Sequence, residues 1–234
     1  MSVNPEPEID VTRSLEAGRQ PFLGIELLCG AGALVPRPET ELLGRTAIEK
    51  VQAAGEDARV VDVCCGAGNL ACAIAVHVPA ARVWATDLTD GCVAWTRRNV
   101  AQLGLDGRVT VHQGDLFAGL EGAGLEGTVD VIVCNPPYIS SGRLAGDRAG
   151  LLEHEPREAF DGGPYGLTIH QRVLKEALPF LKPGGWLLFE IGEGQDRQIA
   201  LLFQRARAYE AVGLARNAAG APRVAFGRVK APAA

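Results

Sequence analysis

Short Val-rich runs alternate with helical patterns along most of this 234-residue chain, and this alternation limits its possible folds more than any other feature. Because short apolar strands between helices are typical of parallel sheets covered on both faces, the rhythm predicts an α/β fold. The predicted strands are residues 59–64, 82–87, 108–113, 129–134, 185–191 and 223–229. The predicted helices are residues 40–53, 69–77, 90–103, 167–181 and 195–208.

The last predicted strand follows a turn rich in Gly, Pro and Asn at residues 217–222, and a further strand at residues 208–212 is its expected hairpin partner. We therefore predict a Rossmann-like, doubly wound and mostly parallel seven-stranded sheet, with an antiparallel strand near one edge. The length fits one domain, predicted over residues 21–230 after a flexible segment at residues 1–20.

Composition and charge exclude several classes of protein. A formal net charge of -5, with no cluster of Lys and Arg, argues against a nucleic-acid partner. The N-terminus lacks the apolar stretch of a signal peptide, and no apolar run approaches the ~18 residues of a membrane span. The six cysteines show no CxxC spacing and the four histidines are isolated, which indicates reduced thiols and no metal site. We expect a cytoplasmic protein.

A rigid tetrapeptide, Asn135-Pro136-Pro137-Tyr138, follows the apolar run at residues 131–134. Both prolines fix φ and lack an N–H, so neither extends a sheet ladder. The Asn135 side-chain oxygen and the Pro136 carbonyl can therefore point outward together and accept the two hydrogens of a planar –NH2 group, with Tyr138 as a flat wall beside it. A turn that only ends a strand is the alternative for the tetrapeptide taken alone.

A glycine turn lies between the first predicted strand of the sheet and the helix that follows it. Gly66 and Gly68 allow a tight turn and a close approach of the backbone to a ligand. Open α/β sheets bind ligands at this edge, outside the carboxyl ends of the strands. Because Cys64 stands where a dinucleotide-binding sequence has its first glycine, a nucleoside ligand without phosphates fits better than a dinucleotide.

Acidic residues follow the next two strands. Asp87 ends one strand about 20 residues past the glycines, where a carboxylate can accept both ribose hydroxyl protons. Asp115 follows the next strand and can accept from an adenine amino group while Leu116 packs on the ring. Each aspartate taken alone is better explained as a helix N-cap. Together with the glycine turn and the tetrapeptide, they point to S-adenosylmethionine as the cofactor.

Three longer segments narrow the protein families to which this chain can belong. They are residues 35–41 (VPRPETE), residues 154–157 (HEPR) leading into residues 161–163 (DGG), and residues 181–185 (LKPGG) before a strand that ends in Glu190-Ile191-Gly192. With these segments, residues 22–229 resemble the HemK/PrmC family of protein glutamine-N5 methyltransferases, within the class I S-adenosylmethionine-dependent methyltransferases. The NPPY tetrapeptide alone is shared with other methyltransferases of exocyclic amines.

The resemblance implies an enzyme that methylates a side-chain amide, with glutamine N5 of a protein such as a peptide chain release factor as the expected substrate. The implied catalytic residues are Asn135, Pro136, Pro137 and Tyr138, of which Asn135 and Pro136 are expected to hold the amide. The candidate cofactor contacts are Asp62, Cys64, Cys65, Gly66, Ala67, Gly68, Asp87, Leu88, Asp115, Leu116 and Asn135. The mouth of the site is expected at Pro36, Arg37, Pro38, Glu39 and Thr40.

Two segments bear on the substrate. Residues 139–166 interrupt the rhythm directly after the tetrapeptide and predict a substrate lid, with a plain surface insertion as the alternative. The family's bacterial release-factor enzymes carry a helical N-terminal domain, whereas about 20 residues precede the matching region here. A pathway-specific N-methyltransferase acting on a peptide or small molecule is therefore the alternative function, ahead of adenine methylation and of a cofactor-binding subunit without catalysis.

Overall fold

The computed structural model describes residues 9–231 and confirms the predicted α/β architecture. Its strands are β1 (Arg19–Phe22), β2 (Ile25–Leu28), β3 (Arg59–Val63), β4 (Arg82–Asp87), β5 (Val109–Gln113), β6 (Val129–Cys134), β7 (Leu181–Glu190), β8 (Tyr209–Arg216) and β9 (Pro222–Val229). Its helices are α1 (Val11–Ala17), α2 (Glu41–Ala54), α3 (Asn69–His77), α4 (Asp90–Gln102), α5 (Ser141–Ala145), α6 (Thr168–Glu176) and α7 (Asp196–Ala206).

Seven strands form the main sheet in the order β5-β4-β3-β6-β7-β9-β8. Strands β3 to β7 are parallel to one another, and β9 runs antiparallel between β7 and the edge strand β8. The predicted hairpin at the end of the chain is thereby confirmed. It places the antiparallel pair on the side of the sheet away from β3 and β4.

Strands β3 and β6 are buried on both faces, which explains their continuous apolar sequences. Val60 and Val131 pack into the core under α2 and α3, whereas Val61 and Ile132 pack into the core under α6 and α7. All four side chains are fully buried. Successive residues of a strand point to opposite faces, so each strand must supply apolar residues to both cores.

The order of the strands also fixes where a ligand can bind. The chain runs from β3 outward to β4 and β5, and then returns to β6 on the other side of β3. The connections at the carboxyl ends of β3 and β6 therefore diverge to opposite sides and leave a crevice between them. The glycine turn follows β3 and the NPPY tetrapeptide follows β6, so both predicted segments lie at this crevice.

Helix α6 and strands β7 and β8 differ from their predicted bounds by four residues or more, and β8 continues to Arg216 instead of ending at residue 212. Helix α6 ends at Glu176 instead of residue 181, because Pro179 has no N–H and disfavours helical backbone at Leu178. Strand β7 then begins at Leu181, four residues before the predicted start. Its pairing with β6 shifts register between Val129 and Val131, so the Pro-Gly-Gly sequence forms an irregular entry to the strand.

The described part of the segment that was predicted to be flexible, residues 9–20, contains helix α1 and the start of strand β1. Asp10 caps α1 by accepting from the Arg13 N–H, and β1 and β2 follow as a hairpin whose Leu27 is fully buried. Amphipathic alternation in such short strands gives a weak sequence signal, which is why the hairpin was not predicted. Residues 1–8 lie outside the described residues.

Within residues 9–231, no helix is long and apolar enough to cross a membrane, and no group of three or more His, Cys, Asp and Glu is arranged to hold a metal ion. All six cysteines, which fall in this range, are free thiols, and five of them are buried.

The Asn99 side chain ties the N-terminal hairpin to the glycine turn. It is fully buried, accepts from the Leu28 N–H (2.7 Å), and donates to the carbonyls of Leu28 and Ala67 (2.9 Å each). We expect Asn99→Ala to lower the free energy of unfolding by about 2–4 kcal/mol, because buried backbone groups lose their partners. Urea unfolding followed by circular dichroism measures this change.

Gln102→Ala on the same helix is the matched control, because its exposed side chain donates to the Glu26 carbonyl (3.1 Å). We expect a change of no more than about 0.5 kcal/mol for this variant. Equal losses in the two variants would contradict the role given to Asn99.

Candidate active site

A cavity of about 330 Å³ lies at the carboxyl edge of β3, β4 and β6. This volume falls in the range of roughly 300–1,000 Å³ that is typical of small-molecule sites. Most of the sequence-predicted residues line it: Pro36, Arg37, Thr40, Cys64, Cys65, Gly66, Asp87, Leu88, Asp115, Leu116, Asn135 and Pro137. The remaining wall includes residues of α3, α4 and α6 and of the segment 156–161.

The other predicted residues are absent from the cavity wall and lie in the layer around it: Pro38, Glu39, Asp62, Ala67, Gly68, Pro136 and Tyr138. Asp62 is fully buried under the glycine turn, where its Oδ2 accepts from the Ala71 N–H (2.9 Å). Burial raises the pKa of Asp62 to about 8. Asp62 is therefore placed to hold the first turn of α3, and it is not placed to touch a ligand in the cavity.

Left-handed backbone shapes the glycine turn. Cys64 has φ +59°, a backbone region that is strained for residues with a Cβ and unstrained for glycine. Gly68 has φ +80°, and a Cβ there would lie 2.7 Å from Cγ2 of Thr96. The α4 helix therefore packs directly on the turn, and Thr96 donates to the Gly66 carbonyl (2.9 Å).

The thiols at the turn are not candidate nucleophiles. A hydrogen bond with the Cys134 thiol, together with burial, raises the pKa of Cys64. Burial raises the pKa of Cys65 as well. Both side chains thus remain neutral thiols, which act as small, uncharged wall groups.

Asp87 fastens the end of β4 to the glycine turn. Its Oδ2 accepts from the Gly66 N–H (2.9 Å) and its Oδ1 accepts from the Thr89 N–H (3.2 Å). Burial raises the pKa of Asp87, and these backbone donors oppose the shift. Each carboxylate oxygen keeps a lone pair, so the group can still accept from a ligand hydroxyl.

Asp115 meets a partner that the sequence did not reveal. Nη1 of Arg172, on α6, lies 2.9 Å from Oδ1 and 3.1 Å from Oδ2 of Asp115. Arg172 also donates to Glu176 one turn further along its helix (2.9 Å). The pair orients the Asp115 carboxylate at the cavity and offsets part of its charge there.

The NPPY tetrapeptide is held mainly from behind. Asn135 Nδ2 donates to Oγ1 of Thr40 (3.1 Å), which leaves the Asn135 Oδ1 free. The Tyr138 hydroxyl donates to Oε1 of Glu190 (3.1 Å) and accepts from Arg223 (3.3 Å). Tyr138 is absent from the cavity wall, and a Cβ added to Gly192 would lie 3.0 Å from Cδ2 of its ring, so the flat wall expected of Tyr138 stays a prediction.

The predicted lid is an ordered structure that is fastened to the mouth of the site. A bridge between Ile139 and Asp161 closes the segment, which contains α5 and two short 3₁₀ turns. The Glu155 side chain, only 2% exposed, pairs with Arg37 and accepts from the Val35 N–H (2.8 Å). This contact joins the PRPET and HEPR motifs across 120 residues of sequence.

Sequence reasoning assigned no role to four charged residues that organise the site: Glu155, Arg172, Glu190 and Arg223. Glu190 carried a recognisable signal, since a carboxylate within the apolar run of residues 187–191 is expected to be buried. Arg172 and Arg223 carried no such sequence signal, because their contacts join segments that are distant in sequence.

Removing the Glu155 carboxylate should release the lid. The change Glu155→Ala leaves the Arg37 guanidinium, 12% exposed, without its charged partner, and breaking such a buried pair costs about 3–5 kcal/mol. We expect trypsin to cleave the lid, at Arg143 or Arg148, at least about tenfold faster than in the unaltered protein. Glu153→Ala, at an exposed position of the same segment, should leave the rate unchanged. Equal protection of both variants would show that the pair does not hold the lid.

Comparison with known proteins places these features in context. A family model described as the methyltransferase small domain matches residues 40–150. The release factor glutamine methyltransferase of Moorella thermoacetica is 36% identical over 192 residues, which are 82% of this chain and 66% of that protein. The same enzyme of Geobacter sulfurreducens is 34% identical over 212 residues, which are 91% of this chain and 71% of that protein.

A relative whose name gives a different substrate also matches. The 4-amino-L-phenylalanine/4-methylamino-L-phenylalanine methyltransferase of Streptomyces pristinaespiralis is 38% identical over 191 residues, which are 80% of this chain and 63% of that protein. The chain thus spans about two thirds of the length of the relatives it matches.

Proposed function

The chain belongs to the HemK/PrmC family of protein glutamine-N5 methyltransferases, and from this we propose that it methylates the side-chain amide of glutamine in a protein such as a peptide chain release factor. The observation that carries the proposal is the Asn135 side chain. Thr40 holds its Nδ2, and its Oδ1 is left for a substrate –NH2 group at the cavity.

The cavity suits S-adenosylmethionine, the methyl donor that we propose. The Asp87 carboxylate would accept from the ribose hydroxyls, and Leu88 and Leu116 would pack against the base beside Asp115. Gly66 would allow the backbone to approach the ligand closely. When bound, the cofactor supplies a methyl group on a positively charged sulfur, which is a good leaving group.

The protein's own contribution is positioning. An amide nitrogen is a poor nucleophile, because its lone pair is delocalised into the carbonyl. We propose that Asn135 Oδ1, at the cavity wall, accepts one amide hydrogen and that the Pro136 carbonyl, in the layer directly behind that wall, accepts the other when the substrate is bound. Electron density then shifts to the nitrogen, and the direction of its lone pair is fixed. Such alignment can supply up to about 7–11 kcal/mol of a barrier.

A small-molecule amine is the second candidate acceptor, and the Streptomyces pristinaespiralis relative favours it, since the substrates in that relative's name are aromatic amines. Two acceptors at Asn135 and Pro136 would hold an aromatic –NH2 group as well as an amide –NH2 group. A release factor and an aromatic amine should therefore be offered separately with radiolabelled S-adenosylmethionine. Label in the release factor supports the first proposal, and label only in the amine replaces it with the second.

Asn135→Ala should abolish most of the turnover, on the order of 10²-fold or more, because the substrate –NH2 loses one of its two acceptors. Affinity for S-adenosylmethionine, measured by calorimetry, should fall much less. The control is Asn217→Ala in the turn before β9, where the Asn217 side-chain oxygen accepts from the Ala221 N–H. This variant should keep both the turnover and the affinity for S-adenosylmethionine. Undiminished methyl transfer by folded Asn135→Ala protein would refute the role of NPPY.

A further inference from the structure

A charged side chain, Arg157, lies at the rim of the cavity, where its wall meets solvent. Arg157 begins the short 3₁₀ turn Arg157–Ala159 and lines the cavity, and its side chain is 51% exposed. Neither the proposed cofactor contacts nor the two proposed acceptors of the –NH2 group involve it. Its guanidinium is therefore a polar group of the cavity wall that the proposed reaction leaves without a role.

The turn that carries Arg157 is fixed against the NPPY tetrapeptide by backbone contacts. The Ile139 N–H donates to the Phe160 carbonyl (2.9 Å), and the Gly162 N–H donates to the Ile139 carbonyl (2.8 Å). A Cβ added to Gly162 would lie 2.7 Å from the Pro137 carbonyl oxygen, so the two segments are in direct contact. Arg157 is thereby attached to the acceptor side of the cavity, next to the residues that hold the –NH2 group.

Asp161 fixes one side of the Arg157 guanidinium. Arg157 Nε donates to Asp161 Oδ2 (3.0 Å), while Asp161 Oδ1 accepts from the Ser141 hydroxyl (2.6 Å) and the Gly163 N–H (3.0 Å). The Ser141 hydrogen bond lowers the pKa of Asp161, so the carboxylate is ionised. Among residues 9–231, neither Nη nitrogen of Arg157 has a hydrogen-bond partner. The N–H groups on both Nη nitrogens are thus available to a ligand.

We propose that Arg157 is a specificity-determining residue, which donates to a main-chain carbonyl of the methyl acceptor and so selects an amide within a peptide over a free amino acid. This inference rests on the proposed function of Asn135 and names the class of its substrate. In a glutamine residue, a pair of methylene groups separates the side-chain amide from the main chain. With the amide held at Asn135, the main-chain carbonyls reach the rim where Arg157 lies.

The charges at this wall favour a neutral carbonyl over a free carboxylate. Arg37 and Arg157 line the wall, but so do Glu158 and Asp161, and Glu155 pairs with Arg37 from behind. The three carboxylates outnumber the two guanidinium groups, so the wall has no excess of positive charge to attract an anion. A carbonyl oxygen carries no net charge and still accepts a strong hydrogen bond from a guanidinium. A peptide therefore fits this rim better than the α-carboxylate of a free amino acid.

Peptide binding tests the contact without methyl transfer. The probe is a fluorescent pentapeptide with blocked ends and a central glutamine, and the protein is loaded with S-adenosylhomocysteine, the demethylated cofactor. In fluorescence anisotropy, Arg157→Ala should bind the probe about tenfold more weakly, because a hydrogen bond from a charged donor is lost. Undiminished affinity in this variant, or no measurable binding of the probe by the unaltered protein, would overturn the inference.

Arg143→Ala is the matched control. Arg143 belongs to the same segment, is similarly exposed and pairs with an aspartate four residues later (3.2 Å), as Arg157 does, but it is absent from the cavity wall. This variant should bind the probe as tightly as the unaltered protein. An equal loss of affinity in Arg143→Ala and Arg157→Ala would reduce the effect to general surface charge and contradict the proposed contact.

Thioamide peptides separate a contact with the substrate from a structural role of Arg157. In each peptide one main-chain carbonyl next to the glutamine side chain, that of the glutamine or of the residue before it, has sulfur in place of oxygen, and sulfur is the weaker acceptor. We expect one of the two peptides to bind the unaltered protein severalfold more weakly than the probe, and this difference to vanish in Arg157→Ala. A difference that persists in Arg157→Ala, or none in the unaltered protein, would contradict the contact.

Free amino acids test the choice of substrate class. Free glutamine and 4-amino-L-phenylalanine, offered as competitors of the probe, should bind at least about tenfold more weakly than the blocked pentapeptide. Competition as strong as that of the pentapeptide, and lost in Arg157→Ala, would show that Arg157 binds an α-carboxylate and overturn the inference. Absence of methyl transfer to every acceptor offered would instead refute the proposed function, and the binding measurements would still decide the role of Arg157.

Discussion

The parallel pairing of β3 with β6 is the constraint on which the rest of the structure depends. Val60 to Val63 pair in register with Val131 to Cys134, and this register brings the glycine turn and the NPPY tetrapeptide to the same edge of the sheet. Because β4 and β5 lie on one side and β7 on the other, the connections diverge and leave room for a ligand. A shift of one residue would exchange the faces of a strand that is buried on both.

Buried carboxylates hold the site together on this frame. Glu155 joins the lid to the mouth through Arg37, and Glu190 joins β7 to the tetrapeptide through Tyr138. Removing a carboxylate from water is costly, and a chain keeps such a group only where specific partners surround it. Both residues lie within motifs that identify the family, and their contacts give a physical reason for motif positions that do not line the cavity.

The sequence predicted the sheet and the cavity better than the network behind them. Strong local signals, such as the apolar run of β6 or the prolines of NPPY, specify their structure from a few neighbouring residues. Contacts such as Arg172 with Asp115 depend on how α6 packs, which no local pattern encodes. The N-terminal hairpin was missed for a related reason: its short strands derive their order from Asn99, which lies 71 residues away from Leu28 in sequence.

The central claim is that the NPPY edge delivers a methyl group to the nitrogen of a side-chain amide. The most direct test uses S-adenosylmethionine with a ¹³C-labelled methyl group and a release factor whose glutamine amides carry ¹⁵N. The account predicts a one-bond coupling between the new ¹³C methyl and a glutamine ¹⁵N. A methyl group transferred without that coupling, to an oxygen, a carbon or a backbone nitrogen, would contradict it.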